Sequence, residues 1–115
     1  MVWVNQDKCA IVGVGATDYY VRGQSHPRTI NDMVGEAILK ACEDAGLSVR
    51  QIDGFAYYSG AQMGYGDKAD TASLMEMLGI PEITFSAALT SGGGGAAGAV
   101  GLATAAIMNE DATLV

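Results

Sequence analysis

Few residues of this chain can do chemistry by type, and their spacing limits what that chemistry is. There is one histidine, His26, and there are two cysteines, Cys9 and Cys42. Ser91 stands directly before Gly92, Gly93, Gly94 and Gly95 in the stretch LTSGGGGAAGAVGLATAAI. A nucleophile elbow requires Gly-x-Ser-x-Gly. Gly93 follows Ser91 at the right distance, but Leu89 occupies the place of the first glycine, and no basic partner is visible. A phosphate-binding loop requires Lys and then Ser or Thr after its glycines, whereas Ala96 and Ala97 follow here. Gly13-Val14-Gly15 opens like a dinucleotide fingerprint, but Asp18 stands where its third glycine belongs. The next helix also begins about a dozen residues too late to receive a pyrophosphate. No grouping of the histidine and cysteines has metal-ligand spacing. His26, before Pro27 in a polar loop, reads as a surface histidine. Cys9 in an apolar run and Cys42 on an apolar helix face read as buried free thiols.

The glycine run itself remains. A helix that starts there leaves its first backbone N–H groups without intrahelical acceptors, at the positive end of the helix dipole. Glycines let a ligand or another backbone come directly against those groups. Ser91, Gly92, Gly93, Gly94 and Gly95 are therefore candidates for binding a substrate or holding an oxyanion. The other reading is a tight strand-to-helix turn with no ligand, and composition does not decide between the two.

The elements that would position this run follow from apolar periodicity. Lys8–Gly15 (KCAIVGVG) reads as a buried strand, ahead of a polar loop over 16–28. Ile30, Met33, Val34, Ala37, Ile38, Ala41, Cys42 and Ala45 share one helical face, with Thr29 as cap and Gly46 as terminator. Ile52–Ser59 reads as a second strand, and the glycine-rich loop after it carries Met63 and Tyr65. Asp70 caps a short helix through Leu78, closed by Gly79. Glu82–Ala87 reads as a third strand. From about Gly95 to Met108 the residues are small or apolar on every side, which predicts a helix buried all round. Glycine inside a helix costs about 1 kcal/mol against alanine, so Gly98 and Gly101 imply close packing against its backbone. Thr113-Leu114-Val115 reads as a strand just begun. The β-α-β-α-β-α-β order predicts an α/β fold with a largely parallel sheet, in the first part of a longer protein.

Composition narrows the function classes. Half of the 115 residues are apolar, 17% are charged and the net charge is −7. An acidic chain with scattered basic residues is unsuited to nucleic acid or an anionic membrane. No apolar run is long enough to span a bilayer. Asp7 and Lys8 interrupt the start where a signal peptide is apolar, so a cytoplasmic location is expected.

Several segments taken together resemble a known family. They are CAIVGVGATDY, ACEDAGLS, VRQIDGFAYYSG, LMEMLGI, AVGLATAAI and DATLV. The chain is similar to the N-terminal part of the thiolase superfamily, in its lipid-transfer-protein-like (sterol carrier protein x-type) branch. That resemblance implies that residues 1–115 begin a thiolase-like domain, a layered αβαβα sandwich with a buried central helix. Thiolases carry a catalytic cysteine at the N-terminus of that helix, where the dipole lowers a thiol's pKa. Here the matching position is about Gly93, and no cysteine occurs between residues 43 and 115. Steroid side-chain-degrading aldolases of this branch share that departure, carrying a GGG segment. They cleave a β-hydroxyacyl-CoA by retro-aldol reaction without an acyl-enzyme.

The resemblance implies an acyl-CoA substrate, no cofactor beyond the coenzyme A of that substrate, and catalytic acid–base residues later than Val115. It also implies a homodimer, with an OB-fold protein or a hydratase subunit carrying one as a partner. The Met63/Tyr65 loop reads as an ordinary packed loop ahead of a partner contact. Two alternatives stand beside the aldolase. One is an acyltransferase whose cysteine comes from elsewhere in the chain or from another subunit. The other is a non-catalytic subunit that binds acyl-CoA or lipid.

Overall fold

A computed structural model describes residues 4–58, 69–90 and 92–115. Three α-helices and two strands alternate along it: α1 (Ile30–Ala45), β1 (Gly54–Tyr58), α2 (Thr71–Leu78), β2 (Phe85–Leu89) and α3 (Gly95–Met108). The chain divides into two compact units, one from Met1–Ile11, Ile52–Met63 and Glu82–Val115, the other from Val12–Gln51 and Gly64–Pro81.

The second unit holds α1 and α2, and both are bounded by their own sequence. The Thr29 hydroxyl accepts the Asp32 N–H at 3.0 Å, and the Asp32 carboxylate accepts the Thr29 N–H at 3.1 Å. This capping box satisfies two donors that a helix start leaves open. Those hydrogen bonds, the backbone one first, hold the Asp32 carboxyl below its ordinary range. Gly46, at φ 69°, closes α1 in the left-handed conformation that glycine adopts without strain. Along the helix, Glu36 pairs with Lys40 at 2.7 Å and with Arg28. In α2, Asp70 accepts the Ser73 N–H at 3.0 Å, and Gly79 terminates the helix at φ 67°. Leu74 and Ile80 are buried in this unit. Gly35 is buried on α1, where an added Cβ would collide with the Met77 methyl.

The first unit holds the sheet and α3. β1 and β2 pair in parallel, with Gly54 opposite Phe85 and Tyr58 opposite Leu89. Parallel strands require a crossover connection, here the segment carrying α2, so the architecture is α/β as the alternation predicts. Ile52, Phe55, Ala99, Ala106 and Ala112 form the buried apolar set. Asp53 fastens the chain end: its carboxylate accepts the Thr113 N–H at 2.9 Å, the Leu114 N–H at 2.8 Å and the Thr113 hydroxyl. In return, the Asp53 and Gly54 N–H groups donate to the Leu114 carbonyl at 3.1 and 3.2 Å. Thr113–Val115 thus bonds beside β1 without completing a strand.

Two expectations are corrected here. Lys8–Gly15 forms no strand: the run is split between the two units after Ile11, and Ile11, Val12 and Val14 are exposed. A strand exists only through its ladder, and among the described residues none lies beside this segment. The Val14 N–H goes instead to the Asp44 carboxylate at 2.9 Å. The second correction concerns α3, whose limits are as expected but whose burial is one-sided. Gly95, Ala99 and Ala106 are buried on the face toward the strands, while Ala96, Ala97, Val100, Gly101 and Ala105 are exposed. An all-apolar surface calls for cover on all sides, and the described residues supply it on one. No helix among them is long and apolar enough to cross a membrane.

Candidate functional site

β2 runs into the glycine turn, and the turn into α3. Ser91 lies outside the described residues, as do Met63 and Tyr65. Gly92, Gly93 and Gly94 form the turn and are exposed; the Gly95 N–H donates to the Gly92 carbonyl at 3.1 Å. The first full helical bond of α3 is Gly98 N–H to the Gly94 carbonyl, at 3.0 Å. Among the described residues no side chain caps this end. The three turn glycines avoid positive φ, and a Cβ added to any of them meets none of the described residues within 4 Å. Neither backbone conformation nor crowding by the described residues calls for glycine at 92, 93 or 94.

Gly95 differs from the other three. A Cβ there would run into the Tyr58 ring, with Cε2 at 2.5 Å and Cγ at 3.0 Å. One helical turn on, a Cβ at Gly98 would lie 2.7 Å from Leu89 Cδ1. Tyr58 and Leu89 are cross-strand partners at the C-terminal ends of β1 and β2. Sequence reasoning places Tyr58 in a strand but does not find this role. The one available signal is an aromatic residue at the strand's end, and its contact is 37 positions away in sequence (95 − 58).

The remaining sequence candidates take other parts. Gly13 and Gly15 let the chain lie against the α1 backbone. A Cβ at Gly13 would strike the Ala41 carbonyl and sit 2.9 Å from Ala45 Cβ, and one at Gly15 would strike the Ala37 carbonyl. His26 is exposed, as a surface histidine should be. No group of His, Cys, Asp and Glu among the described residues has the arrangement of a metal site. The Cys9 thiol donates to the Thr104 carbonyl at 3.9 Å. Thr104 lies ten residues beyond the Gly94 cap, about 15 Å along a helix. Cys9 is therefore far from the α3 N-terminus. Both thiols are part-buried rather than fully buried, and burial raises the pKa of Cys42, the opposite of an activated thiol. A groove of about 330 Å³ in the second unit is lined by Asp32, Glu36, Lys40, Glu43, Leu39 and Met77.

An exposed helix start at the carboxyl ends of parallel strands can bind an anionic group or stabilise developing negative charge. Comparison with known proteins leads to one class of enzyme. The chain is similar to steroid side-chain aldolases. It is 32% identical over 108 residues to the 17-hydroxy-3-oxo-4-pregnene-20-carboxyl-CoA lyase of Mycobacterium tuberculosis, covering 94% of this chain and 26% of that one. It is 32% identical over 109 residues to the steroid side-chain-cleaving aldolase of Thermomonospora curvata, covering 92% of this chain and 25% of that one. Among solved structures, an Ltp2-ChsH2(DUF35) aldolase superposes with a TM-score of 0.75 at 30% identity, over 90% of this chain and 25% of that one. No family model matches. The chain thus spans about a quarter of the length of the relatives it matches.

Proposed function

We propose that this chain is the N-terminal section of a thiolase-like, cysteine-independent aldolase that cleaves a β-hydroxyacyl-CoA, of the steroid side-chain type. The observation that carries the proposal is the glycine turn at α3. Gly92, Gly93 and Gly94 are open on all described sides, neither the turn nor α3 carries a cysteine, and the chain around them is similar to named side-chain aldolases. In a retro-aldol cleavage a base removes the proton of the β-hydroxyl. The carbon–carbon bond then breaks to leave a carbonyl compound and the enolate of a shortened acyl-CoA, which is protonated at carbon. The enolate places negative charge on the thioester oxygen. Backbone N–H groups at a helix start, reinforced by the dipole, stabilise such charge without a nucleophile. In this reading Ser91 and Gly92 to Gly95 bind the thioester, and the acid–base residues lie beyond Val115.

The same reading gives the wider protein a layered αβαβα fold with residues 1–115 as its first part. It also gives it a homodimeric state, an OB-fold or hydratase partner subunit, a cytoplasmic location and no cofactor besides the coenzyme A of the substrate. The solved relative is an Ltp2-ChsH2(DUF35) aldolase, a name that joins two components and supports a partner subunit.

The test is Gly93→Trp in the intact protein, assayed with its partner subunit on 17-hydroxy-3-oxo-4-pregnene-20-carboxyl-CoA, the thioester in the mycobacterial relative's name. An indole in the turn fills the helix mouth, and turnover should fall by a hundredfold or more, on the order of an oxyanion-donor deletion. Wild-type turnover would show that the glycines only make a turn. Inhibition of the unmodified protein by thiol-blocking reagents would favour the acyltransferase alternative. Thioester binding without cleavage, even with the partner present, would favour the non-catalytic one.

A further inference from the structure

We infer that Tyr58 is a positioning residue for the glycine turn: with Leu89 it sets where the first turn of α3 points. The inference rests on the reading of that turn as the thioester site. Tyr58 and Leu89 face each other at the ends of β1 and β2. Gly95 and Gly98 are three residues apart, so they lie on one side of α3. Each strand-end side chain fills the space that one of these glycines leaves empty: the Tyr58 ring against Gly95, the Leu89 methyl against Gly98.

Two contacts on neighbouring strands, matched to two gaps on one helix face, fix both the rotation and the axial position of the helix. The direction of the first N–H groups is fixed with them. Of the four consecutive glycines, only Gly95 is required by the described chain, and Tyr58 is the residue that requires it. Tyr58 is also 41% exposed, which is little burial for a residue placed only to support a core. Its contact is made through the ring carbons Cδ2, Cε2 and Cγ, so the hydroxyl is not part of the clamp.

The test uses the intact protein with its partner subunit and the same β-hydroxyacyl-CoA. Misplacing a stabilising donor by about an ångström costs up to about a hundredfold in rate, so Tyr58→Ala should lower kcat by at least tenfold. KM should stay within about threefold, because groups elsewhere hold the rest of the thioester. Tyr58→Phe keeps the ring and should retain kcat within about twofold. A stability measurement tests the clamp without reference to activity. Gly95→Ala should lower Tm in the wild-type background and lower it by less beside Tyr58→Ala, since the two residues share one space.

A Tyr58→Ala enzyme with normal kcat would overturn the inference. So would a Tyr58→Phe enzyme as impaired as Tyr58→Ala, or equal Tm losses for Gly95→Ala in both backgrounds. Failure of the underlying reading looks different. If Gly93→Trp turns over normally, the site itself is misassigned. If Gly93→Trp is inactive while Tyr58→Ala is normal, only the positioning role falls.

Discussion

α1 and α3 are similar in length, 16 and 14 residues, and are built on opposite principles. α1 is amphipathic and specified locally: a capping box at Thr29, a glycine stop at Gly46, and Glu36 held by Lys40 and Arg28 on its polar side. α3 has no side-chain cap among the described residues and no charged residue, and much of its first half is exposed. The contrast separates two uses of small residues. On α1, Gly35 is small so that Met77 can pack on it. On α3, Gly95 and Gly98 serve the same purpose, whereas Gly101 has nothing within 4 Å of an added Cβ. The first kind of glycine is explained by a contact among the described residues, and the second kind is not.

Substitutions can break or sharpen this contrast. The largest stability loss is expected from Gly13→Ala, because the new methyl meets the Ala41 carbonyl of α1, and backbone in a hydrogen-bonded helix cannot retreat as a side chain can. Overpacking of this kind costs about 1–3 kcal/mol, and this case should lie at the upper end. A denaturation midpoint equal to wild type would mean that the segment does not lie on α1. Gly101→Leu comes next. If α3 is covered on its outer face in the intact protein, this variant should also lose about 1–3 kcal/mol, similar to Gly98→Leu, which must displace Leu89. Gly101→Leu at wild-type stability beside a destabilised Gly98→Leu would show that the outer face is bare in the intact protein too. Thr29→Ala removes the α1 cap and should cost about 1 kcal/mol by chemical denaturation.

The smallest effect expected is on pH dependence. Burial pushes the Asp53 carboxyl up, but the hydrogen bonds from Thr113 and Leu114 outweigh it, and the net shift is downward. A carboxyl depressed in the folded state contributes stability above its unfolded pKa and loses it as pH falls through the folded value. Wild type should therefore lose stability below about pH 4, and Asp53→Asn should show less of that acid loss. Parallel acid profiles for the two proteins would remove Asp53 from the account.

The fold was legible where the cause is local. The caps Thr29 and Asp70 and the stops Gly46 and Gly79 mark helix ends in the sequence and occupy those places in the structure. The limits of α3 could be read from its run of small residues. What could not be read was the state of its surface, because an apolar pattern states a demand for burial and not whether a given stretch of chain supplies it. The Lys8–Gly15 run failed as a strand for the same reason: strandness depends on a partner, and periodicity sees only one side of the pair. At the candidate site the glycines were visible as a motif, but their division into three open positions and one filled by Tyr58 depends on a contact between distant residues.

The Asp53 fastening has a consequence for the timing of synthesis. Its donors, Thr113 and Leu114, follow it by 60 and 61 residues. A ribosome adding about 5–20 residues per second needs on the order of 3–12 s to make that interval. During that time Asp53, just ahead of β1, is an acceptor whose donors do not yet exist, while the α1 caps, formed by residues three apart, are already available. Nascent chains should therefore protect α1 from amide exchange seconds before they protect the backbone around Asp53.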